Sequence, residues 1–525
     1  MEFKYVPTVC PFCGTGCSFN LVIKEGKVVG TAPFQRSPVC EGKTCQKGHF
    51  AYELVNSPAR LTKPMIKKGD GLVEASWDEA IAAAAKLGSY SGDDVFVVAS
   101  AGATNEDLFV TKKFADEVLK TKNFTTPASV GIDASAGTIA GLAKADCIVA
   151  IGNIVESHPL VARRIANAKD NGAKVIVVDT FRSPMAKMAT EFVKATPGAE
   201  AAAVAEAGAL VEGKAVAVVY GIGVTFAEST IAAAAKALAE SKNAAFCALP
   251  AQSNGRGSIL AGAATPFCNA YSGKAKAFFV VGEDLGPLNA EFAVVIDSFL
   301  TSTAKTADVV FPAAVFAEVD GTVTNAERRI QLVRKAQDAA EGVKANWQIV
   351  AEIAAKLGGN IAFDSAEAVF KAAYPDLSYE AIAKDGFILP EKPATVEICD
   401  CDECKCDGIA NVSDEYPLLL TTSATIWHGY GGIATLSANC KSLMREVSGM
   451  FVKISKEDAK ELNILPTDFV KVTTANGSIL ASVQITKDID KGVIYVPTTG
   501  IGGGCIFMLT KGAKAIAAKI EKAEA

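Results

Sequence analysis

From about residue 93 the chain alternates between short, β-branched apolar runs and stretches of helical periodicity. The runs are 94–99, 147–152, 174–179 and 215–220, and between them stand 105–120, 161–170, 199–210 and 229–241. Strands that are apolar at every position are buried on both faces, so the alternation predicts parallel sheet covered by helices. The runs 277–281, 292–296 and 309–310 resume the pattern, and 347–357 reads as a helix stopped by Gly358-Gly359. Before this region, 20–24 and 27–31 read as two strands around a Glu25-Gly26 turn, and 77–87 as an alanine-rich helix. After it the pattern is β-rich: 416–421, 451–454, 469–474, 477–485 and 492–496, with Asn476-Gly477 as a hairpin turn and one short helix near 456–462. That predicts a closed β-barrel rather than another wound sheet.

These patterns divide the chain into four parts. Residues 1–60 form a turn-rich module. Residues 61–384 form an α/β body of two interleaved domains, one roughly 93–245. Residues 385–414 are a cysteine-rich linker of Gly, Pro and Asp, and 415–525 form the barrel. Half of the 525 residues are apolar, enough for a large core. With 52 basic against 58 acidic residues the net charge is −6, which argues against a nucleic-acid partner. No uncharged apolar run reaches a membrane span, because the longest candidates are broken by Lys144, Asp146, Glu206 and Glu212. The first residues carry no apolar export core and no twin arginine, so a cytoplasmic protein is expected, at most peripheral to a membrane complex.

The chemistry is in the cysteines. Fourteen thiols without an export signal argue against a disulfide framework. Four of them are Cys10, Cys13 and Cys17 on a glycine-rich loop and, after 27 intervening residues, Cys45 in Cys-Gln-Lys-Gly. Three thiolates on one loop with a remote fourth suit a [4Fe–4S] cubane, with Gly14 and Gly16 letting the loop turn; tetrahedral zinc, which more often pairs two Cys-x-x-Cys knuckles, is the rival. A second group, Cys399, Cys401, Cys404 and Cys406, lies in the linker beside Asp400, Asp402 and Glu403. Thiols so crowded in a polar stretch have no packing role, and a second iron–sulfur cluster or a zinc ion is expected there.

At these residues the sequence resembles the molybdopterin oxidoreductase superfamily. The likeness is to the catalytic subunit of cytoplasmic formate dehydrogenases and to the large iron–sulfur subunit of NADH:quinone oxidoreductase. It rests on "VCPFCGTGCSFNLVIKEGKVVG" with "CQKG", then "RLTKPMI", "SWDEAI", "ADCIVAIGNIVESHPLVARRI", "AKVIVVDTFRSPMAKMA", "LPAQSNGRGS" and "FLTSTAKTADVVFPAAVFAEVDGTVTNAERRIQLVRKA", and finally "YPLLLTTS" through "YVPTTG". The resemblance implies a molybdopterin oxidoreductase-like α/β fold: a small N-terminal [4Fe–4S] module, doubly wound parallel sheets and a C-terminal β-barrel, around a pterin guanine dinucleotide. It implies that Lys47 sits between cluster and pterin. It also implies that Gly152, Asn153, Glu156, His158, Asp179, Thr180 and Arg182 belong to the dinucleotide site, with Asp179 recognising guanine. Loops at the carboxyl ends of parallel strands are where such ligands bind.

The departures point away from formate chemistry. Where formate dehydrogenases carry Cys or selenocysteine followed by His, this sequence reads "NFTTPASVG", placing Thr125 at the metal ligand and Thr126 at the histidine. A threonine hydroxyl is a poor soft-metal ligand. The chain is shorter than the resemblance implies, with deletions after Ala195 and Gly257. The barrel's arginines are missing from "HGYGGIATLSAN", and Phe507 replaces an asparagine. The expectation is an electron-transfer subunit that has lost the molybdenum site, with no catalytic residue of its own and molybdopterin guanine dinucleotide absent. An active molybdenum or tungsten enzyme and a purely structural docking subunit are the alternatives. Partners would be other redox subunits: a ferredoxin-like region, which this chain does not itself supply, and a flavin/NADH or hydrogenase module.

Overall fold

The computed structural model describes residues 2–90, 92–127, 137–221, 228–263, 265, 275–390, 412–429, 432–447, 449–498, 509–510 and 515–523. The second cysteine group and Phe507 lie outside these residues. The chain separates into two compact units. The first comprises Met1–Ser129, Gln252–Glu397 and Gly431–Ser442; the second comprises Val130–Ala251, Ile398–Tyr430 and Leu443–Ala525.

The first unit begins with an antiparallel sheet of Lys4–Val9, Ser18–Lys24 and Lys27–Pro33. The expected turn joins the last two, with Glu25 and Gly26 both left-handed at φ 52° and 77°, as a two-residue hairpin of this hand requires. A seven-stranded sheet follows, in the order Gly71–Glu74, Met65–Lys68, Val309–Pro312, Phe292–Asp297, Ala277–Val281, Val95–Ala99, Phe124–Thr125. Its last five strands are parallel and almost wholly buried. Helices Trp77–Ala84, Asn105–Phe114 and Asn346–Lys356 pack on it through Ala80, Leu108, Phe114, Ile349 and Ile353. Each starts as its sequence dictates: Ser76 and Thr104 cap the first two through capping boxes with Glu79 and Asp107. The third ends where Gly358 turns left-handed.

One strand departs from the sequence reading. The run at 94–99 was grouped with those at 147–220, but Val95–Ala99 pairs with Ala277–Val281 in the other sheet. Fully apolar strands carry no period that tells one partner from another, so pattern alone does not distinguish the two sheets.

The second unit holds a five-stranded parallel sheet in the order Glu191–Lys194, Lys174–Asp179, Cys147–Ile151, Val216–Tyr220, Ala245–Ala248. Cys147 and Cys247 are inert core residues of its strands. The expected barrel is present: Leu418–Thr421, Val493–Tyr495, Phe451–Ser455, Gly477–Thr486, Phe469–Thr474 and Ala515–Ala523 close on themselves. Besides Lys456–Glu461, this region carries two further helices, Gly432–Ala438 and Lys441–Glu446. Residues 431–442 group with the first unit, where Ser442 donates to Glu53 and Thr435 to Asp284. No helix among the described residues is long and apolar enough to cross a membrane.

Candidate functional site

The cluster loop is the loop of the N-terminal hairpin. Val9 and Ser18 are its last paired residues, so residues 10–17 span the gap, closed by the Cys10 N–H donating to Cys17 O at 2.8 Å. Cys10, Cys13 and Cys17 are buried and Cys45 is partly buried. Cys45 precedes the short helix Gln46–Phe50, whose His49 N–H returns to Cys45 O at 2.9 Å. Gly48 lets this helix approach the loop: a Cβ there would stand 3.4 Å from Cys10 Sγ. Burial raises the Cys10 thiol and the neighbouring Cys45 and Cys13 add to it, while the Lys47 ammonium opposes them. Burial likewise raises Cys45, again against Lys47. Four thiols therefore share one electrostatic environment with one buried cation, and Lys47 is 2% exposed. Among the described residues no three His, Cys, Asp or Glu side chains converge closely enough to hold a single ion.

A second hairpin, Gly321–Thr324 with Arg329–Val333, clamps the loop from outside. Asn325 Nδ2 donates to Thr15 O at 3.0 Å, Gln331 Nε2 to Gly16 O at 3.0 Å, and the Ala326 N–H to Gly14 O at 2.8 Å. Sequence reasoning quoted this stretch but gave it no role. Cys40, a fifth thiol nearby, was given no role from sequence; it is buried, and its Sγ donates toward Ser18 O at 3.3 Å and Ser37 Oγ at 3.2 Å.

Each wound sheet has one point where strand order reverses. In the first unit it lies between Val95–Ala99 and Ala277–Val281. The loops leaving these strands, with the end of Phe292–Asp297, enclose a cavity of about 110 Å³. Its lining includes Cys10, Ser100, Gln252, Ser253, Asp297 and Asn346. Ser100 Oγ donates to Gln252 Oε1 at 2.8 Å, and Gln252 Nε2 to Glu283 Oε2 at 2.9 Å. Burial pushes Asp297 up to about 8, with Asp284 and Glu283 adding to it. Ser253 Oγ and Asn346 Oδ1 are buried without a hydrogen-bond partner among the described residues, which suits a cavity that receives a polar ligand. These residues were not singled out from sequence, yet the strand-end rule used for the other sheet points to them equally.

In the second unit the reversal lies between Cys147–Ile151 and Val216–Tyr220. Gly152 is left-handed at φ 91° and its N–H donates to Val178 O. Asn153 is buried, donates through Nδ2 to Glu156, and leaves Oδ1 unpartnered among the described residues. His158 is buried with both ring nitrogens engaged: Nδ1 faces Ser157 Oγ at 3.0 Å and Nε2 faces Pro250 O at 2.9 Å. Its role is to tie this loop to the one after Ala245–Ala248. Asp179 is buried and accepts from the Thr180 N–H at 2.8 Å; Thr180 Oγ1 meets Thr421 Oγ1 of the barrel at 3.3 Å. Arg182 has an exposed side chain, and its N–H donates to Asp488 O.

Thr125 is fully buried and donates to Thr265 O at 2.6 Å. Its hydroxyl is already committed to the backbone.

A cysteine loop on a small antiparallel sheet, two wound sheets and a closed barrel are the layout of an iron–sulfur oxidoreductase built on dinucleotide-binding scaffolds. Three family models match in order: the molybdopterin oxidoreductase Fe4S4 domain over 3–57, molybdopterin oxidoreductase over 60–356, and the molybdopterin dinucleotide-binding domain over 418–521. The chain belongs to the molybdopterin oxidoreductase family. It is 33% identical to an F420-dependent formate dehydrogenase 2 subunit alpha of Methanococcus maripaludis, covering 94% of each chain. To the F420-dependent formate dehydrogenase subunit alpha of Methanocaldococcus jannaschii it is 31% identical, covering 95% of each. To formate dehydrogenase H of Escherichia coli it is 26% identical, over 97% of this chain and 93% of that one. The acetylene hydratase of Pelobacter acetylenicus shares the fold, with a TM-score of 0.69 at 15% identity over 98% of this chain. The Fe4S4 match supports one [4Fe–4S] cluster. The expected absence of the pterin dinucleotide finds no support, since the dinucleotide-binding domain is matched and both crevices carry buried polar atoms without a partner among the described residues.

Proposed function

We propose that this chain is an iron–sulfur electron-transfer subunit of a multisubunit oxidoreductase, on a formate dehydrogenase-type scaffold that does not itself oxidise formate. Electrons pass through a [4Fe–4S] cluster on Cys10, Cys13, Cys17 and Cys45. Lys47 balances charge beside it, and a flavin, ferredoxin-like or hydrogenase module delivers or collects the electrons. The second group, Cys399, Cys401, Cys404 and Cys406, holds a further metal centre.

The observation that carries this reading is Thr125. At the position implied for a soft ligand stands a hydroxyl that is buried and spent on Thr265 O, and threonine oxygen is a poor partner for molybdenum or tungsten. Gly152, Asn153 and Asp179 in the second unit, and Ser253, Gln252 and Asp297 in the first, are the groups that each crevice, taken by itself, offers to a polar portion of a pterin dinucleotide. Such a group, when bound, supplies dithiolene ligands and redox capacity to a metal. Cys10 lines the crevice of Ser253, Gln252 and Asp297, so a redox group seated there would lie beside the cluster.

A second reading, an active molybdenum or tungsten enzyme, is favoured by these crevices and by the relatives named as formate dehydrogenase subunits. Metal analysis of the purified protein, with formate-dependent reduction of a viologen dye and of coenzyme F420, separates the two. Iron without molybdenum or tungsten, and no formate-dependent reduction, is expected. Formate-dependent reduction in proportion to bound molybdenum or tungsten establishes the second reading instead.

A further inference from the structure

Building on the cluster assignment above, we infer that Glu106 is a proton site linked to the iron–sulfur centre: it binds a proton more tightly when the cluster gains an electron, and so makes the reduction potential fall as pH rises. Glu106 is 0% exposed and stands in the first turn of the helix Asn105–Phe114. Its donors are neutral: the Thr322 N–H at 2.8 Å, and Thr322 Oγ1 and Tyr379 Oη at 3.0 Å. No lysine or arginine pairs with it among the described residues. A carboxylate buried without a cation is costly, so the group keeps its proton above the ordinary carboxylate range, up to about 8. The surrounding elements supply no counter-charge. Burial, and then the charge of Glu106, pushes up both Tyr374 and Tyr379, and Asp320 and Glu367 act on Tyr379 as well. Asp107, next on the same helix, turns to Thr104, Asn346 and Trp347. Lys112 and Lys113, further along it, pair with Asp116 and Glu117. On the helix Asn346–Lys356, Glu352 is taken by Lys344 and Lys356 is exposed. The helix Gly255–Leu260 carries Arg256 as its one ionisable residue, and the strand Val95–Ala99 carries none.

The strand that holds Glu106 also leads to the cluster loop. Thr322 lies in Gly321–Thr324, where Asn105 Nδ2 fixes Thr322 Oγ1 and Thr324 Oγ1 at 3.0 and 3.2 Å. Three residues beyond Thr322, Asn325 donates to Thr15 O, between Cys13 and Cys17. Three residues of extended chain span about 10 Å, so the carboxyl stands within about 15 Å of that loop. At such a separation, and an effective dielectric near 20, one unit charge alters a one-electron equilibrium by about sixfold. The electron comes from a ferredoxin- or flavin-type donor, the proton comes from water, and the carboxyl O–H is the one bond formed. The linkage is reciprocal: an ionised Glu106 makes the cluster harder to reduce, and a neutral one does not.

The test is a redox titration of the cluster's paramagnetic signal in the full chain, repeated from about pH 6 to about pH 9, with wild type beside Glu106→Gln and Tyr379→Phe. The wild-type midpoint should fall as pH rises through about 8. Glu106→Gln should match the wild type at the acid end and be easier to reduce at the alkaline end, by about sixfold in the equilibrium constant. Tyr379→Phe removes a donor to the carboxylate and should move the fall to higher pH. A merely structural role shifts the potential alike at every pH, so wild-type and Glu106→Gln curves that coincide or run parallel overturn the inference. If Glu106→Gln fails to hold iron, Tyr379→Phe decides, and an unmoved fall overturns the inference there. A wild-type chain without any cluster signal would instead sink the cluster assignment on which this depends.

Discussion

Glu106 shows how much of this protein is decided at single residues that sequence does not advertise. It sits on the second residue of the helix Asn105–Phe114, where a carboxylate usually faces solvent and the helix dipole. Here it is fully buried. The Thr322 N–H donates to it at 2.8 Å, with Thr322 Oγ1 and Tyr379 Oη at 3.0 Å. Burial outweighs these donors and pushes Glu106 up to about 8. An acid whose folded value is raised stabilises most below its unfolded value, and that contribution is lost as pH rises through the folded one. Between about pH 4.5 and 8 folding therefore takes up a proton, and stability falls by up to about 1.4 kcal/mol per pH unit from this group. Glu106→Gln keeps the shape without the charge. Denaturant unfolding at pH 5 and pH 8 should show a shallower loss of stability in the variant than in the wild type; equal losses would mean that Glu106 is ionised in the fold. The cluster cysteines were legible because their spacing is local. Glu106 was not, because its partners Thr322 and Tyr379 are 216 and 273 residues away.

Among elements, the hairpin Gly321–Thr324 with Arg329–Val333 does for the cluster loop what a disulfide does for a small secreted domain: it fixes a turn-rich segment from outside. Its register sets Asn325 and Gln331 against Thr15 and Gly16. The contact is close enough that Gly16, at φ 68°, has no room for a side chain; a Cβ would come within 2.5 Å of Asn325 Cβ. Gly26, at φ 77° in the next turn of the same sheet, has nothing within 4 Å. Gly26→Ala should suffer only the backbone strain of about 1–2 kcal/mol and bind iron fully. Gly16→Ala carries that strain and also displaces the clamp, so it should lower iron content per chain. Measuring iron in both decides it: equal content would mean that the clamp does not shape the site. The elements themselves were largely readable, since buried strands and capped helices announce themselves by composition and period. Their pairing was not. Val95–Ala99 crosses to a strand beginning at Ala277, and no local feature of an all-apolar strand records so distant a partner.

For the whole molecule, the proposed role raises the question of how electrons would leave a centre whose ligands are mostly buried. Cys10, Cys13 and Cys17 are enclosed, and Cys10 also lines the cavity at the strand ends of the first unit. The sequence offers a second set of soft ligands in Cys399, Cys401, Cys404 and Cys406, among Asp400, Asp402 and Glu403. Four thiolates and three carboxylates in eight residues repel one another unless a cation binds them. A zinc staple would add little to a protein with cores of this extent, whereas a second iron–sulfur cluster would extend the electron path. The purified wild-type chain should therefore carry more iron than one [4Fe–4S] cluster accounts for. Replacing all four cysteines by serine should remove one metal centre and leave the paramagnetic signal of the N-terminal cluster intact. Loss of zinc with no loss of iron would make the group a staple. A variant that keeps all its iron and zinc, and passes electrons to its acceptor at the wild-type rate, would show that these thiols bind nothing and that the N-terminal cluster meets its partner directly.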